Sequence, residues 1–132
     1  ANAMTTTYMA GTFSRTFTAS DTCEIPPTRP DWGLFSWEVN TPGNSNVVFQ
    51  VRTGETIAEM NAMAPLTFSI PSNPAIPTAA QYIDIGNLIT AAGGRNYLPF
   101  LRITAVLNPS SNGLLAPTLT NMGLQYGCVD SE

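Results

Sequence analysis

Apolar residues recur at every second position through most of the chain, and this period of two restricts its fold more than any other feature. In WGLFSWEVN (32–40), Phe35, Trp37 and Val39 share one face while Ser36 and Glu38 take the other. VVFQVRT (47–53) sets Val47, Phe49 and Val51 against Gln50 and Arg52. In YLPFLRITAVL (97–107), which reads as the longest strand, Leu101, Ile103, Ala105 and Leu107 face in, and Arg102 and Thr104 face out. Successive side chains of a strand point to opposite faces, so this alternation specifies half-buried β-strands. GTFSRTFTAS (11–20) places Phe13, Arg15 and Phe17 on one face, and LTFSI (66–70) and YIDIG (82–86) follow the same pattern. TLTNMGLQYGC (118–128) closes the chain with Met122, Leu124, Tyr126 and Cys128 aligned. TPGNSN (41–46) has turn composition, so it predicts a β-hairpin between the two segments it joins.

Two stretches break the period. Ile57, Met60 and Met63 recur at helical spacing, and Thr56 with Glu59 fits a capping box. NLITAAGG (87–94) predicts a second helical turn, with Asn87 as its N-cap and Gly93 or Gly94 as its stop. PSNPAIPTAA (71–80) is a proline-rich loop. About seven strands with one or two short helical turns predict an all-β fold, an antiparallel β-sandwich. Residues 1–3 read as the remnant of a cleaved tag, leaving one domain over 4–132.

Composition then fixes the surroundings. Only 11% of the 132 residues are charged, against roughly 25% in an average protein, so the surface is built from Thr, Ser, Asn and Gln. That suits an extracellular, cell-surface or periplasmic β-domain. The five basic residues, Arg15, Arg29, Arg52, Arg95 and Arg102, are scattered in a chain of net charge −4. No basic stripe exists for nucleic acid. No apolar run approaches the ~20 residues needed for membrane insertion as a helix. Cys23 follows the first strand and Cys128 ends the last; they are either a disulfide stapling the ends of the domain or two buried thiols. The low-charge composition favours the bridge.

Histidine is absent, which removes the commonest general base, the His-dependent nucleophile arrangements and most catalytic zinc sites. AAGGRN (91–96) lacks the spacing and lysine of a phosphate loop. Glu38, Glu55, Glu59 and Asp84 could supply a carboxylate pair. Glu38 and Asp84, however, read as solvent-facing strand residues and Glu59 as a cap partner, so no enzyme is expected.

FQVRTG (49–54), LRITAVL (101–107) and APTLTNMGLQYGC (116–128) occur in an order that resembles the galactose-binding-like jelly-roll modules of large secreted or surface bacterial proteins. The resemblance covers most of 11–128. It implies a jelly-roll sandwich and a non-catalytic role in binding or assembly, with neighbouring domains of a parent protein or a glycan as partner. A carbohydrate-binding module is the alternative, and a small hydrolase the more distant one. The closing strand departs from the pattern, carrying Met122 and Gly123 where an aromatic is common. The resemblance also implies a structural calcium ion near the termini, for which Asp21, Glu24 and Asp130 are the candidates, set against a reading of all three as solvated loop charges.

Four residues form the candidate ligand site: Trp32, Arg52, Tyr97 and Arg102. Trp32 (in PDWGLF) and Tyr97 read as loop aromatics able to stack on a sugar. Arg52 and Arg102 lie outward on their strands. They either cover apolar surface with their stems, paired with Glu38 across a sheet, or act as donors to a polyhydroxyl ligand or acidic partner.

Overall fold

The alternating segments form strands in two antiparallel sheets whose apolar faces meet. A computed structural model describes residues 9–21, 23–24, 28–70 and 82–130. The elements are β1 (Gly11–Thr18), β2 (Thr28–Asn40), β3 (Asn46–Gly54), α1 (Ile57–Ala62), β4 (Leu66–Ile70), β5 (Tyr82–Asp84), α2 (Ile85–Ala91), β6 (Phe100–Asn108) and β7 (Thr118–Asp130). One sheet has the order β1-β6-β3-β4 and the other β5-β2-β7. This is an all-β sandwich with two short helices. Residues 1–3, the proline-rich 71–80 and the Asp130 side chain lie outside the described residues.

The core is the sum of the inward faces. Phe35 and Trp37 of β2 meet Phe49 of β3 and Phe68 of β4, with ring centroids 5.1–6.3 Å apart. Val47, Val51, Leu101, Ile103 and Ala105 complete it from the four-stranded sheet, and Ile85 and Ile89 of α2 close one end. The Cys23–Cys128 disulfide forms, with Cα atoms 5.5 Å apart. It ties the turn after β1 to the end of β7, and so joins one sheet to the other.

Several sequence expectations are corrected. The predicted hairpin is not one: β2 pairs with β5 and β7, whereas β3 pairs with β4 and β6. Residues 41–45 arch between the sheets, with Gly43 at φ 62° and Ser45 Oγ donating to the Pro42 carbonyl at 2.7 Å. Alternation fixes which face of a strand is buried but not which strand it bonds, and either arrangement buries Phe35, Trp37, Phe49 and Val51. The N-cap of α2 is Asp84, whose carboxylate accepts from the Asn87 N–H at 3.0 Å, so the helix begins three residues earlier than predicted. The longest strands are β2 and β7, with 13 residues each; β6 has nine because it starts at Phe100. Thr56 caps α1 as expected, accepting from the Glu59 N–H at 3.1 Å.

Trp32 belongs to β2 rather than a loop, and it is 1% exposed. The β2–β7 register runs Trp32↔Tyr126 and then Phe35↔Leu124, so Gly33 and Leu34 together oppose one residue. Such a bulge reverses the parity of the strand. Counted by simple alternation from Phe35, Trp32 points outward; with the extra residue it points into the core. There its Nε1 donates to the Leu98 carbonyl at 2.8 Å and its ring lies 4.7 Å from that of Tyr126. A second irregularity, between Glu38 and Val39, lets both Leu119 and Met122 of β7 pack inward.

Candidate functional site

Strand parity builds the site on the outer face of the four-stranded sheet. The inward residues Val51, Leu101 and Ile103 force their neighbours Arg52, Arg102 and Thr104 to the opposite side. Register then aligns this face in rows. Ser14, Thr104, Gln50 and Thr67 form one row across all four strands, and Thr16, Arg102 and Arg52 form the next. Arg52 and Arg102 are thus direct register partners on adjacent strands. Opposed like charges in a sheet are destabilising. Among the described residues the one ion pair is Arg95–Glu59, at 3.7 Å, so neither of these arginines has a carboxylate partner there.

Neutral acceptors hold the pair in place. Arg52 Nε donates to the Met63 carbonyl at 3.0 Å. Arg102 Nε donates to Thr16 Oγ1 at 2.9 Å, and its Nη1 to Asn61 Oδ1 at 2.6 Å. Asn61 lies in α1 and Met63 is its C-cap, so the helix packs at this end of the sheet and fixes both guanidinium groups. Gly54 permits that approach, because a Cβ there would lie 2.4 Å from the Met60 nitrogen. Both terminal nitrogens of Arg52, and Nη2 of Arg102, have no protein partner among the described residues. The result is two half-buried, positioned cations on a hydroxyl-rich face.

The four predicted site residues therefore do not form one site. Arg52 and Arg102 come together, but Glu38 is on the outer face of the other sheet and pairs with neither. Trp32 is core. Tyr97 is half-buried beside it, with the Arg29 guanidinium 4.4 Å and that of Arg95 5.9 Å from its ring centre. Of the calcium candidates, Asp21 and Glu24 are exposed, and among the described residues no three of His, Cys, Asp and Glu converge as a metal site.

A second feature was missed from the sequence. Between the edge strands β1 and β7 the sandwich is open, as a cleft of about 360 Å³ lined by Phe13, Arg15, Leu107, Leu119, Thr120, Asn121 and Met122. Phe13 is 52% exposed, and the Arg15 guanidinium lies 4.7 Å from the Phe17 ring centre. The signal was the arginine within Phe-Ser-Arg-Thr-Phe, a charge on an otherwise apolar face. An inward-pointing charge on an edge strand also discourages strand addition.

Among the described residues no helix is long and apolar enough to cross a membrane. Compared with protein-family models the chain matches none, and it has no significant match among curated protein sequences.

Proposed function

We propose that this chain is a non-catalytic binding and assembly module of a larger secreted or surface protein, of the galactose-binding-like jelly-roll kind, presenting Arg52 and Arg102 to an acidic partner. The arginine pair is the observation that carries the reading. Its repulsion persists in the free protein and is relieved by a bound carboxylate, which guanidinium groups recognise through charge-assisted, often bidentate bonds. Export is supported by the disulfide and the low-charge surface. The absence of catalysis is supported by the lack of histidine and by the placement of Glu38 and Asp84. Asp84 opposes Leu34, four residues along β2 from Glu38. That spacing is about 14 Å between backbone positions at ~3.4 Å per residue, whereas glycoside hydrolysis needs carboxyl groups roughly 5–9.5 Å apart.

The test is binding to poly-glutamate and to a glycan array holding uronic-acid and neutral sugars, with wild type and Arg52→Ala/Arg102→Ala in parallel. Wild type should retain an acidic ligand, and the variant should bind it at least about tenfold more weakly. Acidic ligands bound equally by both proteins would contradict the reading. A carbohydrate-binding module is the second reading, favoured by the cleft that sets half-exposed Phe13 beside Arg15 and Asn121. A neutral glycan bound by the double arginine variant and lost in Phe13→Ala would move the site there.

A further inference from the structure

The two outer faces of the sandwich carry opposite charge. The four-stranded face holds Arg52 and Arg102. The three-stranded face exposes Asp31, Glu38 and Asp84. Its one arginine, Arg29, is half-buried with its guanidinium over Tyr97. The acidic face also exposes apolar surface, with Leu34 39% and Tyr82 55% exposed.

The rows on the two faces match in spacing. On the basic face Val48 opposes Val106, Gln50 opposes Thr104 and Arg52 opposes Arg102, giving an apolar, a polar and a charged row at two-residue steps. On the acidic face Leu34, Ser36 and Glu38 repeat that order at the same steps along β2, with Asp84 of β5 standing beside Leu34. Ser36 is flanked by Tyr82 on one side and by Gly123, which adds no side chain, on the other. At ~3.4 Å per residue, each face spans about 14 Å from its first to its charged row. We propose that the acidic partner of the arginine pair is the three-stranded face of a second copy of this chain. Arg52 and Arg102 meet Glu38, the Tyr82 ring lies over Gln50 and Thr104, and Leu34 covers Val48 and Val106.

This rests on the arginine face being the working surface. Because the two faces lie on opposite sides of one sandwich, the contact is head-to-tail and adds copies in a row rather than closing on itself as a symmetric dimer. Complementary charge orients such a docking and makes it sensitive to salt.

Sedimentation velocity over a concentration series tests it, with wild type, Glu38→Arg and Arg52→Glu/Arg102→Glu. Circular dichroism would verify that all three are folded. Wild type should grow in mass with concentration without stopping at a dimer, and associate at least about tenfold more weakly when salt rises from about 0.05 to about 0.5 M. Each variant alone should stay monomeric, and an equimolar mixture of the two should associate again, since each supplies the face the other lacks. Wild type that remains monomeric to its solubility limit, or association that both variants retain, would overturn the proposal. Arginine-dependent binding to poly-glutamate by a strictly monomeric wild type would overturn the self-docking alone and leave the acidic-partner reading in place.

Discussion

Replacing Trp32 with Ala should destabilise the domain by about 3–5 kcal/mol, the usual cost of truncating a buried large aromatic. Its indole is 1% exposed, bonded to the Leu98 carbonyl and packed on Tyr126, so the effect belongs to folding and not to a ligand. Urea denaturation measures it; an unchanged midpoint would mean that the indole is not core. The arginine pair makes a prediction of opposite character. In a double-mutant cycle of Arg52→Ala and Arg102→Ala, the coupling between the two should be unfavourable to the native state by ~0.2–1 kcal/mol, and should shrink in high salt. A favourable coupling would remove the argument that the pair awaits an anion. At this scale the sequence was half legible. The outward positions of Arg52 and Arg102 followed from parity alone. Trp32 did not, because one extra residue at Gly33–Leu34 reverses parity and a bulge leaves little trace in composition.

Helix α1 is the element on which the arginine face depends. It supplies Asn61 to Arg102 and the Met63 carbonyl to Arg52, and it sits against β3 only because residue 54 has no side chain. Gly54→Ala should therefore displace the helix and cost ~1–3 kcal/mol, as overpacking of a close contact does. Hydrogen exchange should show α1 amides losing protection ahead of those in β6; uniform protection would show that the helix is not held at this point. The helix itself was readable from Thr56, Glu59 and the Ile57–Met60–Met63 spacing, since a cap and a period are local signals. The partners of β2 and β3 were not. A turn-like TPGNSN links hydrogen-bonded neighbours in a hairpin and facing sheets in an arch, and the choice is made by β5, β6 and β7, more than 30 residues away.

For the whole molecule, the bridge between Cys23 and Cys128 spans a sequence separation of 105 and joins the two sheets. Replacing both cysteines with Ser should lower stability by up to ~4.7 kcal/mol in the chain-entropy account, measured as a shift in denaturation midpoint at equal slope. A shift near zero would mean that the sheets are held by the aromatic core alone. The sandwich itself was evident from alternation and low charge, but its two unlike faces appear only once register places Arg52 beside Arg102 and Tyr82 beside Ser36. If the arginine-bearing face is the working surface, titration with poly-glutamate at low salt should move amide NMR signals on that face alone. Shifts confined to Gln50–Thr53, Arg102–Thr104 and Asn61, and abolished in Arg52→Ala/Arg102→Ala, are predicted. Shifts that instead cluster around Phe13 and Asn121, or that survive the double substitution, would contradict it.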